Sequence, residues 1–270
     1  MKTLIKYPPL DQLILYRGIE KEGLRIDANG RPATSPHPAA LGSALKNPLI
    51  TTDFAESLPE IITDVHNNID SLLEELTNLN AFLMQNMPTD ETIWPASMPP
   101  QIINADDIVI AKYGNSHLGH LKHLYRVGLS HRYGRVMQAI AGIHYNVSFD
   151  SDLLAALAQN DTLEFSQPSD MKSHYYMHLI KQFLQTEWLL ILLFGASPVA
   201  MQSSIHTNHL DHIKQHNQTT FYGPDSTSLR LSPLGYQNSE LSHICMHYDS
   251  VHQYAEDLFH YTQSKSKNFA

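Results

Sequence analysis

Arg17-Gly-Ile-Glu-Lys-Glu-Gly-Leu-Arg-Ile26 reads as a β-strand with Glu20, Glu22, Leu24 and Ile26 on one face, and Asp27-Ala-Asn-Gly30 supplies turn chemistry after it. Two carboxylates therefore share a face with apolar residues, roughly 6.5 Å apart along the strand. A second acidic stretch, Glu56 to Asp64, repeats the pattern with Glu56, Leu58, Glu60 and Ile62 on one face, and Pro59 predicts an edge position or a bulge. Asp53 lies just before it. If the two stretches pair, Glu20, Glu22, Asp53 and Glu60 converge. At ~4 Å and an effective dielectric near 20, each close pair of like charges repels by roughly 4 kcal/mol, so a partly buried cluster needs cations or protonation. Mg²⁺ takes oxygen ligands and is commonly completed by substrate phosphates, which makes the pattern suited to an ATP-using enzyme. The competing reading leaves these acids as solvated strand residues salt-bridged to Lys21, Arg25 or Arg31.

The rest of the chain predicts mixed structure. Short helical character is expected over His37 to Asn47. Ile69, Leu72, Leu73, Leu76, Leu79, Phe82 and Leu83 recur at helical spacing and give a helix that stops before Pro88. Trp94 to Pro100 holds three prolines and is a loop. A helix follows over about His117 to Gln138, then a strand from Ile140 to Phe149 on which Gly142, His144, Asn146 and Ser148 form the polar face. A long helix is expected over Ser169 to Phe194, a polar connection over Gln202 to Thr220, and a last helix from about Ser239 onward. Helices with a few separated, mostly non-βαβ strands predict an α+β fold rather than a doubly wound one. No internal domain boundary is expected within residues 1–270.

Composition narrows the function. The 270 residues carry 18 Lys+Arg against 27 Asp+Glu, a net charge of −9, with no basic run, so nucleic acid is not an expected partner. The longest unbroken apolar run, Trp188 to Phe194, is seven residues, far short of the ~20 a membrane-spanning helix requires. One cysteine, Cys245, cannot form an internal disulfide, and a reducing cytoplasmic setting is expected. Among the 17 histidines, His206, His209, His212 and His216 would share a helical face able to hold Zn²⁺, but they stand in an Asn/Gln/Thr-rich segment without cysteine and read better as a polar loop. His117, His120, His123, His243 and His247 read as helix-surface or core residues.

Several blocks, in one order, carry a resemblance. They are Gly18-Ile-Glu-Lys-Glu-Gly-Leu-Arg-Ile26, His37-Pro-Ala-Ala-Leu-Gly-Ser-Ala-Leu45, Ile50-Thr-Thr-Asp-Phe-Ala-Glu-Ser-Leu-Pro-Glu-Ile-Ile-Thr63, Trp94-Pro-Ala-Ser-Met-Pro99, Tyr125-Arg126, Arg132-Tyr-Gly134, Ile140-Ala-Gly-Ile-His-Tyr-Asn146, Phe194-Gly-Ala-Ser-Pro198, Ser226-Thr-Ser-Leu-Arg-Leu-Ser232 and Leu234-Gly-Tyr236. Together they resemble the N-terminal half of the bacterial single-chain glutamate-cysteine ligases. The resemblance implies a glutamine synthetase-like antiparallel sheet with surrounding helices, incomplete in this chain. It also implies ATP-dependent joining of the glutamate γ-carboxylate to the cysteine amine through a γ-glutamyl phosphate, the first step of glutathione synthesis.

Carried over by position, the resemblance makes Glu20, Glu22, Asp53, Glu60 and His144 ligands for Mg²⁺ on the ATP phosphates. It makes Tyr125, Arg126 and Tyr236 substrate-pocket residues, Arg126 and Arg230 catalytic groups, and Arg230 the residue near the nucleotide or acyl phosphate. Family members continue past the point aligned with Ala270, and that second half contributes further strands, an acidic ligand and an arginine. The expectation is thus a fragment, with a separately encoded second half as one potential partner. Two other readings stay open at this stage: a non-catalytic nucleotide- and Mg²⁺-binding remnant, and a glutamate ligase for another amine.

Overall fold

A computed structural model describes residues 14–205, 213–232, 234–235 and 246–263. The expectations for Tyr236, Cys245, His206, His209, His212 and His243, and for a helix starting near Ser239, fall outside those residues. The chain forms two compact units, one of residues 17–147 with 194–237 and one of residues 1–16, 148–193 and 238–270.

The first unit is organised by a four-stranded sheet in the order β3-β4-β1-β6, from β1 (Leu15–Glu22), β3 (Ile50–Thr52), β4 (Pro59–Ile62) and β6 (Ile143–Phe149). β4 pairs antiparallel with both β1 and β3, with Glu22 opposite Glu60 and Glu60 opposite Thr51. The back of this sheet packs on α1 (Ile69–Gln85), whose Leu83 joins Leu41, Ile50 and Ile61 in a buried cluster flanked by Leu76 and Leu79. Asn68 caps α1 by accepting the amides of Asp70 and Ser71. The helical period thus predicted the element and the inner part of its apolar stripe, Leu72, Leu76, Leu79 and Leu83, whereas Ile69, Leu73 and Phe82 are exposed.

The long first strand is corrected. It breaks at Gly23-Leu24, and β2 (Arg25–Asp27) turns away to pair antiparallel with β5 (Glu91–Ile93) in a separate two-stranded sheet. Gly23 permits the break, because a Cβ there would come within 2.8 Å of Ile93 Cγ2. Leu24 and Ile26 therefore leave the carboxylate face for a core with Phe54, Leu58, Ile108 and Ile110, and Trp94 packs against that core while its indole N–H donates to Met98 O at 2.9 Å. Arg25 is fully buried on the way, paired with Glu91 at 2.5 Å and donating to the carbonyls of Ser35, Pro36 and Glu56.

The second acidic strand is shorter than expected, and Pro59 begins an interior strand rather than marking an edge, the position where its missing N–H is tolerated. Glu56 lies outside β4, and its carboxylate accepts the backbone amides of His37 and Lys112, both at 2.7 Å. The stretch expected to be helical over His37 to Asn47 holds only a 3₁₀ turn at Ala39–Leu41, closed by Asn47 donating to Leu41 O. α2 (His117–Tyr133) stops before Gln138, at Gly134 with φ 81°. Beyond it, β7 (Val199–Met201), β9 (Thr220–Tyr222) and β8 (Lys214–Gln215) form a three-stranded antiparallel sheet, so His216 follows a strand rather than continuing a helix.

The second unit is helical. α3 (Ser151–Asn160) is capped by Asp150, which accepts from the Asp152 amide and from the Tyr16 hydroxyl. α4 (Pro168–Phe194) matches the expected long helix, and Lys181 on it pairs with Asp249 at 2.6 Å. The described part of the last helix is α5 (Val251–Gln263). No described helix is long and apolar enough to cross a membrane. Antiparallel sheets flanked by helices bear out the α+β expectation.

Candidate metal centre

Strand parity assembles the site. Glu20 and Glu22 on β1 and Glu60 on β4 point to the sheet face opposite α1, and Asp53, two residues beyond Thr51, follows the same parity from the end of β3. On the other side of β1, the Glu22 amide bonds to Gly142 O at 2.9 Å, and the Glu22 carboxylate accepts the Gly142 amide at 2.7 Å. Two residues on, His144 Nδ1 lies 3.2 Å from Glu20 Oε2, and Asn146 donates to the other Glu20 oxygen at 3.0 Å. All five residues expected as metal ligands thus lie on one face of one sheet.

Their electrostatics register the crowding. Burial pushes the Glu60 carboxyl up to about 7, reinforced by the charges of Asp53, Glu22 and Glu20. Glu22 is raised by burial and then by Asp53, against the pull of the Gly142 amide, Arg230 and His144. Asp53 is raised by burial, with Arg126, His144 and Arg230 opposing. Of the cations in the competing salt-bridge reading, Lys21 points to Asn80 of α1 at 3.0 Å, Arg25 is committed to Glu91 and Arg31 lies by Asp27. Raised carboxyls hold their protons more tightly unless a positive charge stands nearby, and donors of this kind, carboxylate oxygens with one imidazole, are chemically compatible with a hard cation such as Mg²⁺ or Mn²⁺. Among the described residues no three such side chains stand close enough to form a finished cage.

Of the expected substrate-side residues, Arg230 lies against the cluster. Its guanidinium fills the space that a Cβ on Gly142 would take, and Nη1 donates to Ile140 O at 3.3 Å. Arg126 approaches from α2, but its guanidinium is turned to the backbone, donating to Asp53 O, to Lys122 O at 3.0 Å and to Thr52 O at 3.4 Å. Tyr125 is 63% exposed on the same helix. The sequence reading passed over Asn146 and Gly142 as ligand-holding groups, although both share the parity of His144.

Comparison with known proteins identifies relatives of the whole chain. A family model described as glutamate-cysteine ligase matches residues 7–270. The glutamate-cysteine ligase of Hahella chejuensis is 44% identical over 255 residues, covering 93% of this chain and 47% of its own length, and that of Azotobacter vinelandii is 42% identical over 255 residues. The crystal structure of the Francisella tularensis glutamate-cysteine ligase in complex with AMP superimposes with a TM-score of 0.86 at 39% identity, covering 96% of this chain and 50% of that one. A bifunctional glutathione synthetase from Pasteurella multocida superimposes with a TM-score of 0.76 at 31% identity. The chain spans about half the length of the curated relatives it matches. With the family model matched over residues 7–270 and relatives 42–44% identical over 93% of its length, the chain belongs to the glutamate-cysteine ligase family.

Proposed function

We propose that this chain supplies the metal- and ATP-facing half of a glutamate-cysteine ligase, in which glutamate is joined through its γ-carboxylate to the cysteine amine. The observation that carries the reading is the single face bearing Glu20, Glu22, Asp53, Glu60 and His144, on which burial and neighbouring carboxylates raise the Glu60 and Glu22 carboxyls. Glu20, Glu22, Asp53, Glu60 and His144 would hold Mg²⁺, which when bound supplies charge neutralisation for the ATP phosphates. In the reaction, a γ-carboxylate oxygen of glutamate attacks the γ-phosphorus of ATP, and the bond to ADP breaks. The amine nitrogen of cysteine then attacks the acyl carbon, phosphate leaves and the nitrogen loses a proton. No protein nucleophile is required, so the side chains act by positioning and by charge. Arg230, beside Glu22 and Asp53, would face the negative charge of the transferring phosphoryl group, while Tyr125, Arg126 and Tyr236 would belong to the amino-acid pocket.

The length of the relatives supports a further element of the proposal: a polypeptide equivalent to their second half completes the site, in the reducing cytoplasm where ATP and free thiol coexist. Incubation of the chain with ATP, Mg²⁺, glutamate and a panel of amines, alone and with the second half of the Hahella chejuensis relative, tests this. Cysteine-dependent release of ADP that is lost in Glu22→Gln is expected. Preference for a different amine would replace cysteine as acceptor. Calorimetry with a non-hydrolysable ATP analogue and Mg²⁺ on wild type and Glu20→Gln reads the site without turnover, and no binding by wild type would show that the carboxylate face is not a nucleotide-metal site.

A further inference from the structure

The backbone that carries Asp53 is held by side chains that reach the carboxylate face only indirectly. Tyr113 is 5% exposed and Thr52 1% exposed, and the two close a pair of hydrogen bonds: Thr52 Oγ1 donates to the Tyr113 hydroxyl at 2.9 Å, and that hydroxyl donates to Thr52 O at 2.9 Å. The Arg126 guanidinium lies over the Tyr113 ring, 4.7 Å from its centroid, with Lys122 Nζ at 5.3 Å. From that perch Arg126 donates to the carbonyls of Thr52 and Asp53, the two peptide groups that set where the Asp53 carboxylate points. The helix side is equally constrained. Gly119, Lys122, His123 and Arg126 form one stripe of α2. A Cβ on Gly119 would run into the Tyr113 carbonyl, and His123 Nδ1 lies 2.7 Å from Ala111 O. Tyr113 is thus clamped between α2 and the end of β3 and touches both the residue before Asp53 and the arginine that grips Asp53.

We propose that Tyr113 is a positioning residue for the metal centre, acting through Thr52 and Arg126 to fix the Asp53 carboxylate at the edge of the cluster; this rests on the metal-binding reading above. Its ring seats the guanidinium and its hydroxyl pins Thr52, so the two parts are separable by substitution. Mn²⁺ binding to the whole chain, followed by loss of the free-ion paramagnetic resonance signal, measures the effect. Tyr113→Phe, which keeps the ring, weakens binding about fivefold, and Tyr113→Leu, which removes both parts, about 20-fold. In an Asp53→Asn background the same substitutions have no further effect on Mn²⁺ affinity, because the group they position is gone.

Wild-type affinity in Tyr113→Leu, or an undiminished loss in the Asp53→Asn background, overturns the proposal. If Tyr113→Leu fails to fold, Tyr113→Phe alone carries both comparisons. If the wild-type chain binds no Mn²⁺, the metal reading fails by itself, and hydrogen exchange decides the role of Tyr113. The Asp53 amide, bonded to Leu58 O at 3.0 Å, then exchanges about tenfold faster in the folded Tyr113 variant while the β4 amides keep their rates. Unchanged exchange at Asp53 would overturn the positioning role.

Discussion

Glu60 faces Glu22 across the β4–β1 pair, and its carboxyl is raised from an ordinary 4.5 to about 7. A carboxyl whose folded-state value lies above its unfolded one binds its proton more tightly when folded. The resulting stability is fully present below pH 4.5 and is lost as pH rises through about 7. The metal-free chain is therefore expected to weaken across that window by up to ~2 kcal/mol, a figure discounted for partial solvent screening, and Glu60→Gln should flatten the slope in urea unfolding curves taken across pH. Arg25 is the opposite case, a charge buried for structure. Its side chain and that of Glu91 are 0% and 6% exposed, so Arg25→Ala strands a carboxylate in the interior and is expected to cost ~3–5 kcal/mol, read as a lowered urea midpoint.

Elements were legible in the sequence where their determinants are local. α1 shows in the 3.6-residue recurrence of Leu72, Leu76, Leu79 and Leu83; the structure adds Asn68 as its cap, and Asn68→Ala should lower stability by ~1 kcal/mol in thermal unfolding. The carboxylate face was legible for the same reason, since parity along β1 puts Glu20 and Glu22 together whatever they pair with. The split of β1 from β2 was not, because an alternating pattern runs straight through Gly23 and only the approach of Ile93, 70 positions on, shows why no side chain fits there. The interior placement of Pro59 likewise depends on which strands flank β4, information that no single strand contains. Arg126 was picked out by its block, yet its partners, Tyr113 and two carbonyls, come from how α2 docks, and nothing in the residues around position 126 announces them.

At the scale of the molecule, the first unit carries an acidic face backed by a packed helix, in a chain of net charge −9. Cation binding there must displace the proton that Glu60 retains below about 7. Titration calorimetry with Mg²⁺ in two buffers of different ionisation enthalpy should give different apparent heats just below that value, and matching heats well above it. Equal heats at both would mean that Glu60 takes no part. The two tryptophans fall in different surroundings: Trp94 is packed against the core beside the broken strand with its indole N–H on Met98, whereas Trp188 is 60% exposed on α4. The chain thus contains its own pair of optical probes. Iodide should quench the red-shifted emission of Trp188 and leave the bluer emission of Trp94, so a Trp188→Phe chain would report through one fluorophore on the core next to the carboxylate sheet, free of signal from the helical unit.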